Sequence, residues 1–486
     1  MATWKSGSYI ILLVLFVACL HLEVATPDSI SPVSPSTEMN LAQLADKNII
    51  PVDSLEVDPE YLSIFSCASV IYDNYLYMAT SYDYSEHGKM IIVDISDPTN
   101  LVEAGRVESL GPCRQVSVVN DKAYVADSMD GMWIFNVSDT TNIEVLGQYS
   151  DNQLYSFFID GDIAYLTGYS NMIQIVNVSD PTSIVEIGSY TVSENTSRCC
   201  VYVQDNLAYI ASFNELEILN VTNPSSPVLL GSVECEGYKR KILLRDDVVF
   251  IAIWGQIWGF DVSDPTNPVE IMEPLTIGYF EELCVEGNIL FHASYTGLRG
   301  YNICSTSLLP ILGQFTPNGD AMSVISMDGY LYLVDQYNGV WSLEHDCDED
   351  ELYSRQEFEL GTPPDNPDAD SDAIPDGWEV EHGLDPFFND AHEDADGDTL
   401  DNLLEFEIGT DPNLVDTDQD TYSDDWEYNH GFNPLDPTVG GAQFLTRHPE
   451  WISIGLAIGL GTIVVAFIII RLRLPDEPAL SHYGQV

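Results

Sequence analysis

MIIVDISDPTNLVEAG, residues 90 to 105, decides the fold, because the same phrase returns along the chain. It recurs as MWIFNVSDTTNIEVLG from Met132, MIQIVNVSDPTSIVEIG from Met172, LEILNVTNPSSPVLLG from Leu216 and IWGFDVSDPTNPVEIM from Ile257. A worn copy, LRGYNICSTSLLPILG, starts at Leu298, and VWSLEHD, from Val340, keeps only a strand. Anchored on Asp94, Asn136, Asn177, Asn220, Asp261, Asn302 and Glu344, successive copies lie 42, 41, 43, 41, 41 and 42 residues apart. A period that constant means a repeat architecture, built at this length from β blades or helix pairs.

Local chemistry chooses the blades. QVSVVNDKAYVAD, residues 115 to 127, is two β-rich runs around Asn120-Asp121, and the same break occurs at Asp205-Asn206, Gly287-Asn288 and Asp328-Gly329. These residues tolerate the positive φ of tight hairpin turns. Pro98, Pro181 and Pro265 pre-set φ in the next turn, and the Asp before each can bond its own backbone. A further strand follows, as in IEVLGQYS from Ile143. No stretch has the 3.6-residue apolar period of helix pairs. Four strands in each of seven repeats predict an all-β fold, a seven-bladed β-propeller, over residues 47–345.

The run IVDISDPTN resembles the LVIVD repeat of bacterial and archaeal surface propellers over roughly residues 48 to 345, and lacks the Gly-His and Trp-Asp signature of WD40 blades. The resemblance implies a fold and is nearly silent about activity, since propellers host many. A strand-like segment from Asn48, ahead of the first complete blade, suggests that the N-terminus closes the ring. LYSRQEF, residues 352 to 358, competes for that role, with the N-terminal strand favoured.

Lys and Arg number 16 against 78 Asp and Glu, a net charge of −62, which makes nucleic acid and anionic membrane surfaces poor partners. The acids cluster in one segment, so calcium explains more of the charge than a halophilic surface does. Residues 1–25, with Lys5 ahead of an apolar run from Tyr9 to Leu20, read as a secretory signal peptide, with a lipoprotein-type cleavage at Cys19 left open. A Pro- and Ser-containing leader spans 26–46. At the other end, residues 452–470 are uncharged and long enough to span a bilayer as a helix. Arg471 and Arg473 follow, which places the short tail 471–486 in the cytoplasm and the N-terminal domains outside the cell membrane. A cleavable sorting tail has a similar outline.

Eight cysteines remain after a signal, and sequence cannot choose among their pairings. Cys304 with Cys347 is the best guess for a disulfide, against the alternative of small buried apolar residues. Asn136, Asn177 and Asn220 sit in sequons, yet they also occupy the repeat anchor, which favours a structural role; only Asn195 escapes that constraint. Arg114, Arg198, Lys239, Arg240 and Lys241 fall near the start of inner strands and would ring one channel mouth. A partly basic mouth suits a carboxylate, a sulfate or an acidic glycan, with Tyr155, Tyr238, Tyr279 and Phe280 as stacking faces. The competing reading pairs these cations with Glu281, Glu282 and Asp320.

After a linker at 346–366, three stretches in residues 367–438 share one spacing: DADSDAIPDGWE, DADGDTLDNLLE and DTDQDTYSDDWE. Counting from each first Asp, oxygen donors recur at places 1, 3, 5, 7, 9 and 12. They are Asp368, Asp370, Asp372, the carbonyl of Ile374, Asp376 and Glu379 in the first. In the second they are Asp394, Asp396, Asp398, Leu400, Asn402 and Glu405, and in the third Asp416, Asp418, Asp420, Tyr422, Asp424 and Glu427. Calcium wants six to eight oxygens, and a Glu at place 12 can supply two. The segment resembles thrombospondin type 3-like calcium repeats, including EIGTDP from Glu407 and HGLDP from His382. It departs from an EF-hand at place 6, where Ala373, Thr399 and Thr421 replace the usual Gly, which puts full EF-hand geometry in doubt. Bound calcium would stiffen an otherwise repulsive stalk. A juxtamembrane linker spans 439–451.

These parts predict a single-pass surface protein that recognises an extracellular protein or glycan. An enzyme with its site in the channel and a purely structural envelope component are the alternatives. Against the enzyme, the chain has no HExxH or GxSxG motif, and His87, His292 and His345 are scattered.

Overall fold

The computed structural model describes residues 49–56, 66–81, 88–150, 154–168, 171–193, 199–253, 255–278, 282–303, 311–317, 319–336 and 339–438. Cys19, Asn195, Arg198, Tyr279, Phe280, Cys304 and the run 452–470 lie outside them. No helix among the described residues is long and apolar enough to cross a membrane.

Twenty-eight strands form seven four-stranded sheets, six of them consecutive in sequence and all antiparallel. The seventh takes three strands from Ala321–Met327, Tyr330–Asp335 and Gly339–His345, and its outer strand from Ile49–Leu55. The N-terminus therefore closes the ring, and the competing segment is a helix, α1 (Ser354–Leu360). Arg355 in α1 pairs with Glu344, and α1 backbone lies under the Gly329 turn so closely that a Cβ there would meet Arg355 Cα at 2.5 Å.

The repeated phrase folds through two successive side-chain-to-backbone turns. The anchor residue accepts a hydrogen bond from the N–H two positions on: Ser96 to Asp94, Ser138 to Asn136, Ser179 to Asn177, Thr222 to Asn220 and Ser263 to Asp261. Three residues later a second acid or amide does the same, as Thr182 N to Asp180 at 3.0 Å. Asp and Asn serve equally well, so the sequon residues at the anchors are turn residues. The hairpins have φ of +51° and +58° at Asn120 and Asp121, and +52° and +63° at Asp205 and Asn206.

The last glycine of the phrase joins blade to blade. A Cβ on Gly105, Gly147, Gly188 or Gly231 would meet the carbonyl oxygen of Thr140, Pro181, Pro224 or Pro265, in the next blade's turn, at 1.9, 1.8, 2.1 and 2.7 Å. Ring closure has its own version, in which Ser342 Oγ donates to the Pro98 carbonyl at 2.5 Å. Between blades the strands bury apolar clusters, one of which holds Ile49, Phe291, Phe315, Trp341, Leu343 and Cys347.

Beyond the ring come α1, α2 (Asp376–His382), α3 (Asn402–Ile408) and α4 (Asp424–His430), each of seven residues. Each ends on a left-handed glycine, at 361, 383, 409 and 431. The segment read as a linker is ordered against the head: Asp365 accepts the Asn288 N–H at 3.2 Å in the sixth blade's hairpin.

Candidate functional site

The channel residues owe their direction to β-bulges. Inner-strand register slips between Cys113 and Gln115, Leu154 and Ser156, Lys239 and Lys241, and Ala321 and Ser323. The skipped residues are Arg114, Tyr155, Arg240 and Met322, and a bulge leaves such a residue outside the ladder and re-aims its side chain. Arg114, Tyr155 and Arg240 line one cavity of about 580 Å³ together with Tyr202, Lys241 and Glu282. Lys241 pairs with Glu282 at 2.8 Å. Burial works against the Lys241 charge, but Glu282 outweighs it and its pKa is raised. The Arg114 Nε is buried with no hydrogen-bond partner. Gln115 holds neighbouring inner strands in register, donating to the Phe157 carbonyl at 2.8 Å and accepting its N–H at 3.0 Å.

The bulge that presents Arg240 and Lys241 removes Lys239 from the site. A one-residue slip reverses the facing of everything on one side of it. Lys239 is 1% exposed, and its Nζ donates to the carbonyls of Phe213, at 3.2 Å, and Cys235. Burial lowers its pKa. Tyr238 does not line the cavity; half exposed, it packs edge-on against Phe213 at 4.9 Å. Tyr202, which sequence reading passed over, does line it, and burial raises its phenol pKa. Cys200, Cys235, Cys284 and Cys347 are buried free thiols.

The three acidic loops share a backbone. The place-1 carboxylate accepts loop N–H groups: Asp368 from Ser371 and Ala373, Asp394 from Gly397 and Thr399, Asp416 from Asp420 and Thr421. The place-5 carboxylate accepts the place-7 N–H, as Ile374 to Asp372 at 2.9 Å, Leu400 to Asp398 at 2.8 Å and Tyr422 to Asp420 at 2.9 Å. Place 6 keeps a left-handed φ without glycine, +80° at Ala373, +93° at Thr399 and +91° at Thr421. The three loops thus make the same left-handed turn at place 6, with the strain an L-residue carries there.

With the backbone satisfied, a second set of oxygens is left over. Places 1, 3 and 5 of each loop bring one oxygen apiece within 4.8 Å of one another. Glu379, Glu405 and Glu427 are fully buried, and both oxygens of Glu379, Glu427 and Asp370 have no partner; nor do one oxygen each of Glu405, Asp396 and Asp418. Burial, and then the neighbouring aspartates, push the Glu379 and Glu405 pKa up to about 8 and that of Glu427 to about 7. Buried carboxylates without partners are costly, and a clustered set of hard oxygen donors fits a calcium-class cation. At place 9, Asp376 and Asp424 accept the place-2 N–H, and Asn402 donates to the Asp390 carbonyl at 3.0 Å, so these residues also brace the loops. Asp390, absent from the spacing pattern, brings an oxygen within 4.8 Å of Asp372 and Glu379.

The LVIVD repeat matches residues 67–109, 111–151, 156–192, 197–235 and 236–276. No curated protein matches the sequence. Similar solved structures are distant in sequence. The computationally designed Ika8 protein has a TM-score of 0.44 at 9% identity, covering 60% of this chain and 98% of its own. BamB from Moraxella catarrhalis has 0.42 at 11%, covering 61% and 97%, and Sqt1 from Saccharomyces cerevisiae 0.45 at 9%, covering 63% and 88%. The chain is a seven-bladed propeller carrying LVIVD repeats.

Proposed function

We propose that this chain is a cell-surface recognition protein whose propeller head binds an anionic extracellular ligand at the channel mouth. The observation that carries this is the aim of Arg114 and Arg240. In a chain with 16 basic residues against 78 acidic ones, two bulges turn arginines, with Tyr155, into one cavity. Guanidinium groups bind carboxylate or sulfate through paired charged hydrogen bonds, and Tyr155 and Tyr202 offer ring faces to a sugar. Calcium in the loops of 367–438 would hold a stalk, and 452–470 would anchor it, with the head outside the cell.

The test is titration of the detergent-solubilised full chain with a sulfated and a carboxylated oligosaccharide and their neutral counterparts. Binding by the acidic forms, lost at least tenfold in Arg114→Ala and in Arg240→Ala, is expected. Equal binding of acidic and neutral forms, or variants that bind like the wild type, would refute the reading.

A further inference from the structure

The segment between the last blade and the first acidic loop holds a fourth copy of the same unit. Counting from Asp346, the donors fall at Asp348, Asp350, Leu352, Ser354 and Glu357, which are places 3, 5, 7, 9 and 12. The backbone agrees. φ is +66° at Glu349 and +79° at Glu351, against +66° and +80° at the matching Ser371 and Ala373. Asp346 accepts the place-4 N–H of Glu349 at 2.9 Å, and Asp350 accepts the place-7 N–H of Leu352 at 2.8 Å. The helix α1 begins at place 9 and ends on Gly361, as α2, α3 and α4 begin and end at their own matching places.

Spacing and acidity alone would not make a site. Glu357, however, is 0% exposed, and neither of its carboxylate oxygens has a hydrogen-bond partner. The charges acting on it are those of Asp348, Asp350, Asp346 and Asp376, and the first three bring one oxygen each within 4.8 Å of one another. Both oxygens of Asp348 are also buried without partners. A fully buried glutamate aimed at three aspartates is a strongly unfavourable arrangement unless a cation stands between them.

We infer that Asp346, Asp348, Asp350, the Leu352 carbonyl and Glu357 form a fourth divalent-cation site, of calcium class, that fastens the propeller to the stalk. The site touches both sides. At place 2, Cys347 packs in the core cluster with Trp341 and Ile49. At place 9, Ser354 Oγ lies 2.9 Å from Nδ1 of His345, a buried residue of the last strand whose Nε2 meets Glu286 at 3.1 Å. On the stalk side Asp350 accepts the Gly377 N–H at 3.2 Å, as Asp398 accepts the Asp425 N–H at 3.1 Å in the loop after it. Gly377 and Asp425 are both at place 10, so the junction unit connects to its successor as the second acidic unit connects to the third, whereas Asp372 of the first accepts the N–H groups of Asp390 and Ala391.

The inference borrows the calcium reading of the stalk loops, and the experiment separates the two. Calcium bound per chain is counted by equilibrium dialysis of the full chain in detergent, in the wild type, in Glu357→Gln, in Asp348→Asn and in the triple variant E379Q/E405Q/E427Q. Glu357→Gln and Asp348→Asn are each expected to lose one ion, while the triple variant keeps one. A second readout is limited proteolysis within 346–366. At 10 mM calcium, with a dissociation constant near 1 mM as for extracellular modules, cleavage of the wild type slows about tenfold, and that of Glu357→Gln does not. Unchanged stoichiometry and protection in both single variants, or complete loss of binding in a folded triple variant, overturns the junction site and leaves the stalk reading standing. A triple variant that loses no ions while Glu357→Gln loses one overturns the stalk reading instead. No binding by the wild type overturns both.

Discussion

Ring closure by the N-terminal strand makes Ile49→Ala an informative substitution. Ile49 is 0% exposed and sits opposite His345 in the pairing of Ile49–Leu55 with the last strand. Its cluster contains Phe291, Phe315, Trp341 and Leu343, large side chains held by two different blades, so the space it leaves cannot readily collapse. Truncating a buried Ile to Ala costs about 2–5 kcal/mol, and poor relaxation puts this site at about 3 kcal/mol or above. Closure is anchored at its other end by Asp53, which accepts the Leu101 N–H of the first blade at 2.8 Å. Hydrogen exchange over Gly339–His345 is the suitable assay, because it reads local opening without assuming that head and stalk unfold together. A loss of about 3 kcal/mol speeds exchange there on the order of 100-fold. Val145→Ala, on the outer strand of the second blade with its side chain 59% exposed, is the control and should shift exchange by less than about 0.5 kcal/mol. Equal effects of the two substitutions would refute closure by the N-terminal strand.

Other expectations follow from single contacts. Gly147→Ala, whose new Cβ would lie 1.8 Å from the Pro181 carbonyl oxygen, should destabilise the head by about 3 kcal/mol or more, read as a lowered melting temperature of the propeller transition. Ala373→Gly relieves the left-handed φ of +80° in the loop beginning at Asp368 and should stabilise that loop by up to about 1 kcal/mol, measured by exchange protection over 367–390. Glu217, fully buried in the fourth blade and accepting the Ser193 N–H at 3.1 Å, has its pKa raised by burial. Its folded pKa lies above the unfolded one, so its contribution is present at acid pH and is lost as pH rises from the ordinary glutamate range through the folded value. Glu217→Gln should therefore improve in stability relative to wild type as pH goes from 4 to 7; a gap that does not change with pH would contradict this. Chelation should raise exchange across 367–438 while leaving the blades unchanged, and a uniform response would contradict a cation-held stalk.

How far the sequence could be read depended on whether the responsible contact was local. The Asp-x-Ser-Asp-Pro-Thr phrase is legible because both of its turns close within two residues, Ser96 on Asp94 and Thr99 on Asp97. The three acidic loops of 367–438 are legible for the same reason. Place along the strand is enough to group Arg114, Tyr155 and Arg240 at one cavity, but it puts Lys239 there too, because a bulge is a property of two strands and leaves no mark in one. Asp390 reaches Asp372 and Glu379 across 18 and 11 residues, outside any spacing rule. The junction unit keeps the spacing and still reads as linker. Cys347 at place 2 and Ser354 at place 9 disguise it, and it starts directly after a strand, where an acidic run reads as linker.

That position gives the unit its weight. The chain leaves the ring at His345, the residue opposite Ile49, and enters the first acidic unit at the next residue, Asp346. The strand that closes the propeller and the first acidic loop after it therefore share the same buried cluster, in which Ile49 and Cys347 both pack. A head joined to its stalk by a free tether would turn independently of it, since flexible linkers transmit distance and not orientation. Here the exit passes through a buried glutamate, three aspartates and a helix salt-bridged to the last strand through Arg355 and Glu344. A cation held in that carboxylate cluster would fix the direction in which the channel mouth faces, and its removal would leave repelling charges at the point where the chain leaves the ring. Presentation of the head and integrity of the stalk would then respond to the same ion.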